Sequence, residues 1–189
     1  MATPTREDAW LLLNEYTQSQ RLIRHMLAVE AAMRAYAQKN GEDEAVWGIT
    51  GLLHDFDYER WPNEARDDTG HPYTGVAMMR EKDYPEAVLD AIMGHTRYTG
   101  VPRTTPLART LFAVDELCGL IMAMGYVRPG KLDGLTPKSV KKKLKDKSFA
   151  AGVDREEVRL GMEELGVDPT AHMTLIIDAM QSISTELGF

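Results

Sequence analysis

A chain of 189 residues has the length of one domain, and 43% hydrophobic residues are enough for a sizeable core. The formal net charge of −7 disfavours general binding to nucleic-acid polymers or anionic membranes. The single cysteine, Cys118, cannot form an internal disulfide, which indicates a reducing compartment. Residues 1–8 contain no apolar signal core, and no later run approaches a membrane span. We therefore expect a single cytoplasmic domain over residues 1–189.

The N-terminal part predicts two helices in succession. Thr5 and Asp8 resemble a capping box, and residues 10–16 follow as a short apolar helix. Over residues 19–39 apolar side chains recur at steps of three and four, which is one face of a helix. Gly41 is a suitable C-terminal stop for this second helix.

The middle of the chain predicts four more helices separated by two loops. The third begins near residue 43, and its apolar run ends in the adjacent pair His54 and Asp55. Turn residues over 57–70 indicate a loop, after which His71 opens the fourth helix. The fifth runs from Pro85 to His95, a second loop covers residues 96–106, and a long apolar helix over residues 107–124 carries Asp115.

The C-terminal part, residues 137–189, predicts three further helices. The first begins at Pro137 and is rich in lysine, the second is capped by Asp154, and the last begins at Asp168 and is amphipathic. No segment alternates with a period of two between hairpin turns, so the predicted fold class is all-α.

Histidine and aspartate residues recur beside the predicted helices. Imidazole and carboxylate groups together are good ligands for divalent transition metals, and separate helices can each deliver a ligand into a bundle core. The series consists of His25, His54, Asp55, His71, His95 and Asp115. A fifth histidine, His172, lies outside the series and is interpreted as structural or surface-exposed.

This series resembles that of the HD superfamily of metal-dependent phosphohydrolases, over residues 21–121. Residues 53–59 and 113–117 are similar to the small HD proteins called HDIG-type hydrolases, with Phe56 and Asp57 in place of the Ile-Gly of that name. The resemblance implies an HD-domain helical bundle with a metal site in its core, followed by a C-terminal helical extension.

The resemblance also implies which residues bind metal. The core site would consist of His25, His54, Asp55 and Asp115. Members with two further histidines commonly bind two metals, so Asp55 would bridge, and His71 and His95 would hold the second ion. One or two ions of Mn, Fe, Co, Ni or Zn suit such nitrogen and oxygen ligands. In the alternative, His71 only begins a helix, and one or both of these histidines contact the substrate phosphate.

The expected chemistry is phosphate ester hydrolysis by a metal-bound hydroxide, because a bound cation lowers the pKa of water and withdraws charge from phosphate. Asp55 is the central catalytic residue in this interpretation. Asp57 and Glu59 are the nearest acids and are candidates for protonating the leaving group or orienting water. Either could equally be a loop carboxylate paired with Arg60 or Arg66.

An anionic substrate also needs cationic contacts. Arg97 is the first candidate, and Lys138, Lys142 and Lys145 form a second group, although a solvated helix face is the favoured interpretation of the lysines. The segment over residues 139–153 is similar to a recurrent tail of small HD proteins and is a candidate lid.

The sequence thus predicts a metal-dependent hydrolase of a small phosphomonoester or nucleotide. One alternative is a phosphodiesterase or pyrophosphohydrolase acting on a dinucleotide or cyclic nucleotide. Others are a non-catalytic regulatory HD domain that binds metal and ligand, and a di-iron oxygenase. The apolar last helix could also pack on a second copy, which leaves a homo-oligomer open.

Overall fold

A computed structural model describes residues 4–189. The described residues form nine α-helices, a 3-10 turn at Arg97–Thr99 and no strand, which confirms the all-α prediction. The helices are α1 (Arg6–Tyr16), α2 (Gln20–Asn40), α3 (Glu44–Leu53), α4 (Tyr73–Glu81), α5 (Glu86–His95), α6 (Pro106–Val127), α7 (Pro137–Leu144), α8 (Arg155–Leu165) and α9 (Pro169–Ser182).

Local polar residues set most helix boundaries. Thr5 and Asp8 form the reciprocal capping box, which starts α1 four residues before the predicted apolar stretch. Asp43 accepts hydrogen bonds from the first free amides of α3, and Gly41 ends α2 in the left-handed conformation. These signals are local, so they could be recognised in the sequence.

Two of the differences from the predicted helix bounds concern candidate site residues. Helix α4 begins at Tyr73, because His71 and Pro72, joined by a cis peptide bond, lie in the turn before it. Helix α7 ends at Leu144, and Lys145 is its C-terminal cap, so the lysine-rich segment is helical only in its first part.

Helix α6 is the centre of the packing and contacts α2, α5, α8 and α9. It is long and apolar enough to cross a membrane by length and composition alone, which corrects the expectation that no run approaches a span. Within the fold, however, 67% of its apolar window is buried, and the helix carries Asp115 among the other helices.

Helices α2 and α3 cross at close range because Gly51 has no side chain. A Cβ atom at this position would lie 2.9 Å from backbone atoms of Glu30 and Val29 on α2. This approach brings the end of α3, with His54, next to His25 on α2.

The C-terminal helices pack onto the same core, α8 against α6 and α9 against α2. His172 on α9 is fully buried, where its Nδ1 accepts from the Tyr36 hydroxyl at 2.5 Å and its Nε2 donates to the Ala113 carbonyl at 3.1 Å. Its structural interpretation is therefore supported. The division of residues 1–189 into one domain with an extension stays a prediction.

Candidate metal centre

The fold gathers the predicted histidine and aspartate series around one point. His25 and Asp115 lie within α2 and α6, His95 is the last residue of α5, and the turns that follow α3 and precede α4 carry His54, Asp55 and His71. These residues divide into two groups, and within each group the potential ligand atoms lie within 4.8 Å of one another. The first group is His25, His54 and Asp115, and the second is Asp55, His71 and His95.

Asp55 lies between the two groups. One carboxylate oxygen, Oδ1, is 3.3 Å from Nε2 of His71 and 3.4 Å from Nε2 of His95. The other, Oδ2, is 3.5 Å from Nε2 of His54 and 4.0 Å from Nε2 of His25. Asp55 therefore presents one carboxylate oxygen to each group.

The first group contains a buried nitrogen with no hydrogen-bond partner. His54 is fully buried, and its Nδ1 donates to the Gly51 carbonyl at 2.8 Å, so Nε2 carries the lone pair when the imidazole is neutral. That lone pair has no donor and faces carboxylate oxygens of Asp55 and Asp115 at 3.5 and 3.4 Å. Opposed lone pairs in a buried site are unfavourable unless a cation lies between them, so these residues fit a metal ion.

The second group shows the same arrangement. His95 donates from Nδ1 to the Ile92 carbonyl, and His71 donates from Nδ1 to Oδ1 of Asp57 at 2.7 Å. The two Nε2 atoms lie 3.3 Å apart, with both lone pairs directed at the same space. A second cation would satisfy both nitrogens and the facing oxygen of Asp55.

The carboxylates and imidazoles of the centre shift one another's pKa values. Burial lowers the pKa of the His54 imidazole, but the carboxylates of Asp55 and Asp115 outweigh burial and hold that pKa well above its usual range. Burial raises the pKa of both carboxyls, and the neighbouring histidines outweigh it, so each pKa lies well below its usual range. Protons and metal cations would therefore compete for the same imidazole nitrogens.

Neither of the two predicted acid candidates is brought to the cleft. Asp57 is 1% exposed, and its oxygens accept from His71 Nδ1 and from the Gly75 amide, each at 2.7 Å. Glu59 is exposed and accepts from the amides of Gln18 and Ser19 at 2.9 Å. The alternative pairing with Arg60 or Arg66 is also absent among the described residues.

A cleft of about 1330 Å³ opens above the centre. Arg97 lines it, as the sequence predicted for a substrate contact. Two further arginines, Arg21 and Arg66, line it as well and were missed. Arg21 lies four residues before His25 on α2, a spacing that could have identified it, whereas Arg66 lies in an irregular loop with no sequence signal.

The predicted lysines lie elsewhere. Lys138, Lys142 and Lys145 are exposed on or just beyond α7, and none lines the cleft. The structure therefore places them as a solvated helix face rather than beside the metal centre.

The segment after α7 does fold back over the site. The Arg155 guanidinium donates to backbone carbonyls of the segment, with 2.6 Å to Ala150 and 2.6 Å to Val153, and so fixes its shape. Ala150, Gly152 and Val153 then form one wall of the cleft. The predicted lid segment is thus part of the cleft wall.

Four acids that the sequence analysis did not select also line the cleft, namely Glu64, Glu116, Asp154 and Glu157. Burial and the nearby Asp115 carboxylate raise the pKa of Glu116 to about 8. Burial, followed by the carboxylates of Asp154 and Asp115, raises the pKa of Glu157 to about 7. Glu116 directly follows a predicted ligand and could have been singled out, whereas Glu157 reaches the cleft only through the packing of α8 on α6.

The family model for the HD domain matches residues 22–120, just over half of the 189-residue chain. The chain belongs to the HD domain family. This confirms the resemblance seen in the sequence, and HD domains generally bind divalent metals and act as hydrolases. Searches of curated proteins and of solved structures find no match to this HD-domain protein.

Proposed function

We propose that this HD-domain protein is a metal-dependent phosphohydrolase that removes phosphate from a small phosphomonoester or nucleotide. The supporting observation is the buried Nε2 of His54, which lacks a donor and faces the carboxylates of Asp55 and Asp115 below an arginine-lined cleft. In our proposal the two groups of histidine and aspartate residues hold one or two divalent ions.

When bound, such cations supply Lewis acidity, which polarises phosphate oxygens and lowers the pKa of water. The chain's own contribution is to hold the ligands in place. Asp55 offers one oxygen to each group, and the backbone carbonyls of Gly51 and Ile92 fix the ring orientations of His54 and His95.

The three cleft arginines would bind and orient the anionic substrate. Arg21, Arg66 and Arg97 come from three different parts of the chain, and none forms an ion pair within residues 4–189. Guanidinium groups suit phosphate because two parallel N–H donors match two oxygens.

Proton transfer to the leaving group requires an acid that faces the substrate. We propose Glu116 and Glu157 for this step, because both line the cleft and the raised pKa of each carboxyl keeps a proton available near neutral pH. Asp57 and Glu59 do not line the cleft. Glu116 and Glu157 thus replace Asp57 and Glu59, which were chosen because they lie near Asp55 in the sequence.

A pyrophosphohydrolase or phosphodiesterase is the second candidate, and the size of the cleft favours it. About 1330 Å³ exceeds the roughly 300–1,000 Å³ usual for small-molecule sites. Exposed Tyr58 and Tyr126 at the cleft offer aromatic surfaces to a base, while several arginines could bind more than one phosphate.

Elemental analysis combined with a phosphate panel tests the proposal. The purified protein, loaded separately with Mn, Fe, Co, Ni and Zn, is assayed on an aryl phosphate, nucleoside monophosphates, sugar phosphates and dinucleotides. We expect bound metal and release of inorganic phosphate. Metal without turnover on any member would favour the regulatory domain, oxygen consumption by the reduced iron form would favour the oxygenase, and a chain that binds no metal would contradict the proposal.

A further inference from the structure

Asp57 is a buried carboxylate whose two oxygens each have one strong partner. Oδ1 accepts from Nδ1 of His71 and Oδ2 accepts from the amide of Gly75, both at 2.7 Å. The side chain is 1% exposed and does not line the cleft. Asp57 therefore contacts the metal centre only through Nδ1 of His71, the ring nitrogen that faces away from the centre.

The contact with Gly75 explains how α4 begins. Pro72 provides no side-chain cap, so Asp57, distant in sequence, satisfies an amide in the first turn of the helix. A Cβ atom at residue 75 would lie 2.7 Å from Cγ of Asp57 and 2.8 Å from its Oδ2. Glycine is thus required here for the carboxylate to reach the helix end.

His71 is held on its backbone as well as on its ring. Its amide donates to the Trp61 carbonyl at 2.8 Å, and its carbonyl accepts from Asn63 at 2.9 Å and from the Tyr98 hydroxyl. With the backbone fixed, the partner on Nδ1 decides which ring nitrogen carries the proton. An acceptor-only carboxylate keeps the proton on Nδ1 and leaves the Nε2 lone pair free for a cation.

We propose that Asp57 is a positioning residue that sets the tautomer of His71 and thereby the metal affinity of the group formed by Asp55, His71 and His95. The inference rests on the metal centre proposed above. It predicts unequal sites, because His25 in the first group has no comparable carboxylate behind its Nδ1 among the described residues.

Asp57→Asn tests the role with little change in shape. The amide can accept from only one of its two donors, so accepting from Gly75 turns its NH₂ group toward His71 and favours the Nε2–H tautomer. We expect one of two zinc ions to bind about 10- to 100-fold more weakly, measured by elemental analysis across graded chelator concentrations. Asp68→Asn, the same change at an exposed position of the same loop, is the matched control and should bind as the wild type does.

Equal zinc affinity in wild type and Asp57→Asn would overturn the positioning role while leaving the metal centre intact. A wild type that binds no zinc would instead remove the metal centre, and the positioning role with it. Nitrogen-15 NMR of the zinc-loaded wild type makes the test independent of variant folding. We expect His71 to be protonated at Nδ1 and metal-bound at Nε2, and the opposite pattern would contradict the proposal.

Discussion

Among single residues, Asp55 has the most contacts within the centre, since its two oxygens face four histidines at 3.3 to 4.0 Å. We predict that Asp55→Ala abolishes metal binding and hydrolysis, because both groups lose their shared carboxylate. Metal content per chain and phosphate release measure the effect.

His25→Ala provides the comparison for this prediction. It removes a ligand from the first group only and should leave the ion held by Asp55, His71 and His95. If Asp55→Ala retained full metal and activity, the assigned centre would be wrong.

Removing a cationic side chain should raise KM only where that side chain lines the cleft. Arg97→Ala should raise KM by up to roughly five-fold, the loss expected of an exposed ion pair. Lys142→Ala, on the solvated face of α7, should leave KM unchanged. Steady-state kinetics on the best substrate measure both KM values. An equal rise in KM for both variants would indicate that the lysines also contact the substrate.

His172 should make stability depend on pH. Burial is the largest cause that lowers its pKa, from 6.5 to about 4. Between pH 6.5 and 4, His172 is therefore protonated in the unfolded chain but not in the folded chain. The free energy of unfolding consequently falls as the pH drops from 6.5 toward 4. Because a shift of one pKa unit corresponds to about 1.36 kcal/mol, the full loss of unfolding free energy is about 3 kcal/mol.

Denaturant unfolding of wild type and His172→Gln across this pH range measures the contribution. The glutamine can still donate to the Ala113 carbonyl but does not titrate, so the variant should lose less stability on acidification. Parallel pH profiles for the two proteins would show that His172 is not the cause.

At the level of helices, sequence patterns predicted which elements form because helix faces and caps are local. They also singled out the histidine and aspartate residues that the fold brings together. They could not distinguish Asp57 from Glu59, since successive turns after His54 direct the two acids to different neighbours.

The close crossing of α2 and α3 predicts that a larger side chain at residue 51 would push the two helices apart. Gly51→Ala should destabilise the fold by roughly 1–3 kcal/mol, because the added methyl meets the backbone of α2. It should also weaken metal binding, since α2 carries His25 and α3 leads to His54. Thermal unfolding and metal titration measure the two effects.

Gly48→Ala is the matched control on the same helix. Its added methyl meets the flexible side chain of Arg34 at 3.0 Å, which can move. Alanine also favours helix over glycine by about 1 kcal/mol. This variant should therefore be neutral or more stable, and equal destabilisation at both positions would contradict the explanation.

At the level of the whole molecule, bound metal should stabilise the folded chain by mass action. Free metal at a hundred times Kd contributes about 2.7 kcal/mol, so chelation should lower Tm by roughly 5–10 °C for a chain of this size. Thermal unfolding with and without chelator measures the shift. Asp55→Ala should show no such response, and an unchanged wild-type Tm would argue against a folded-state metal site.

The cleft was the least predictable part of the molecule. Its floor consists of histidine and aspartate side chains that the sequence singled out, whereas its walls depend on how α8 and the preceding loop pack on α6. Arg66 and Glu157 carry no periodic signal that distinguishes them from other surface charges, so only tertiary packing identifies them.

The wall formed by Ala150, Gly152 and Val153 lies outside residues 22–120, the part that matches the family. One wall of the cleft is thus built from residues outside the family match, so the space left for a ligand can vary without any change to the histidine and aspartate series.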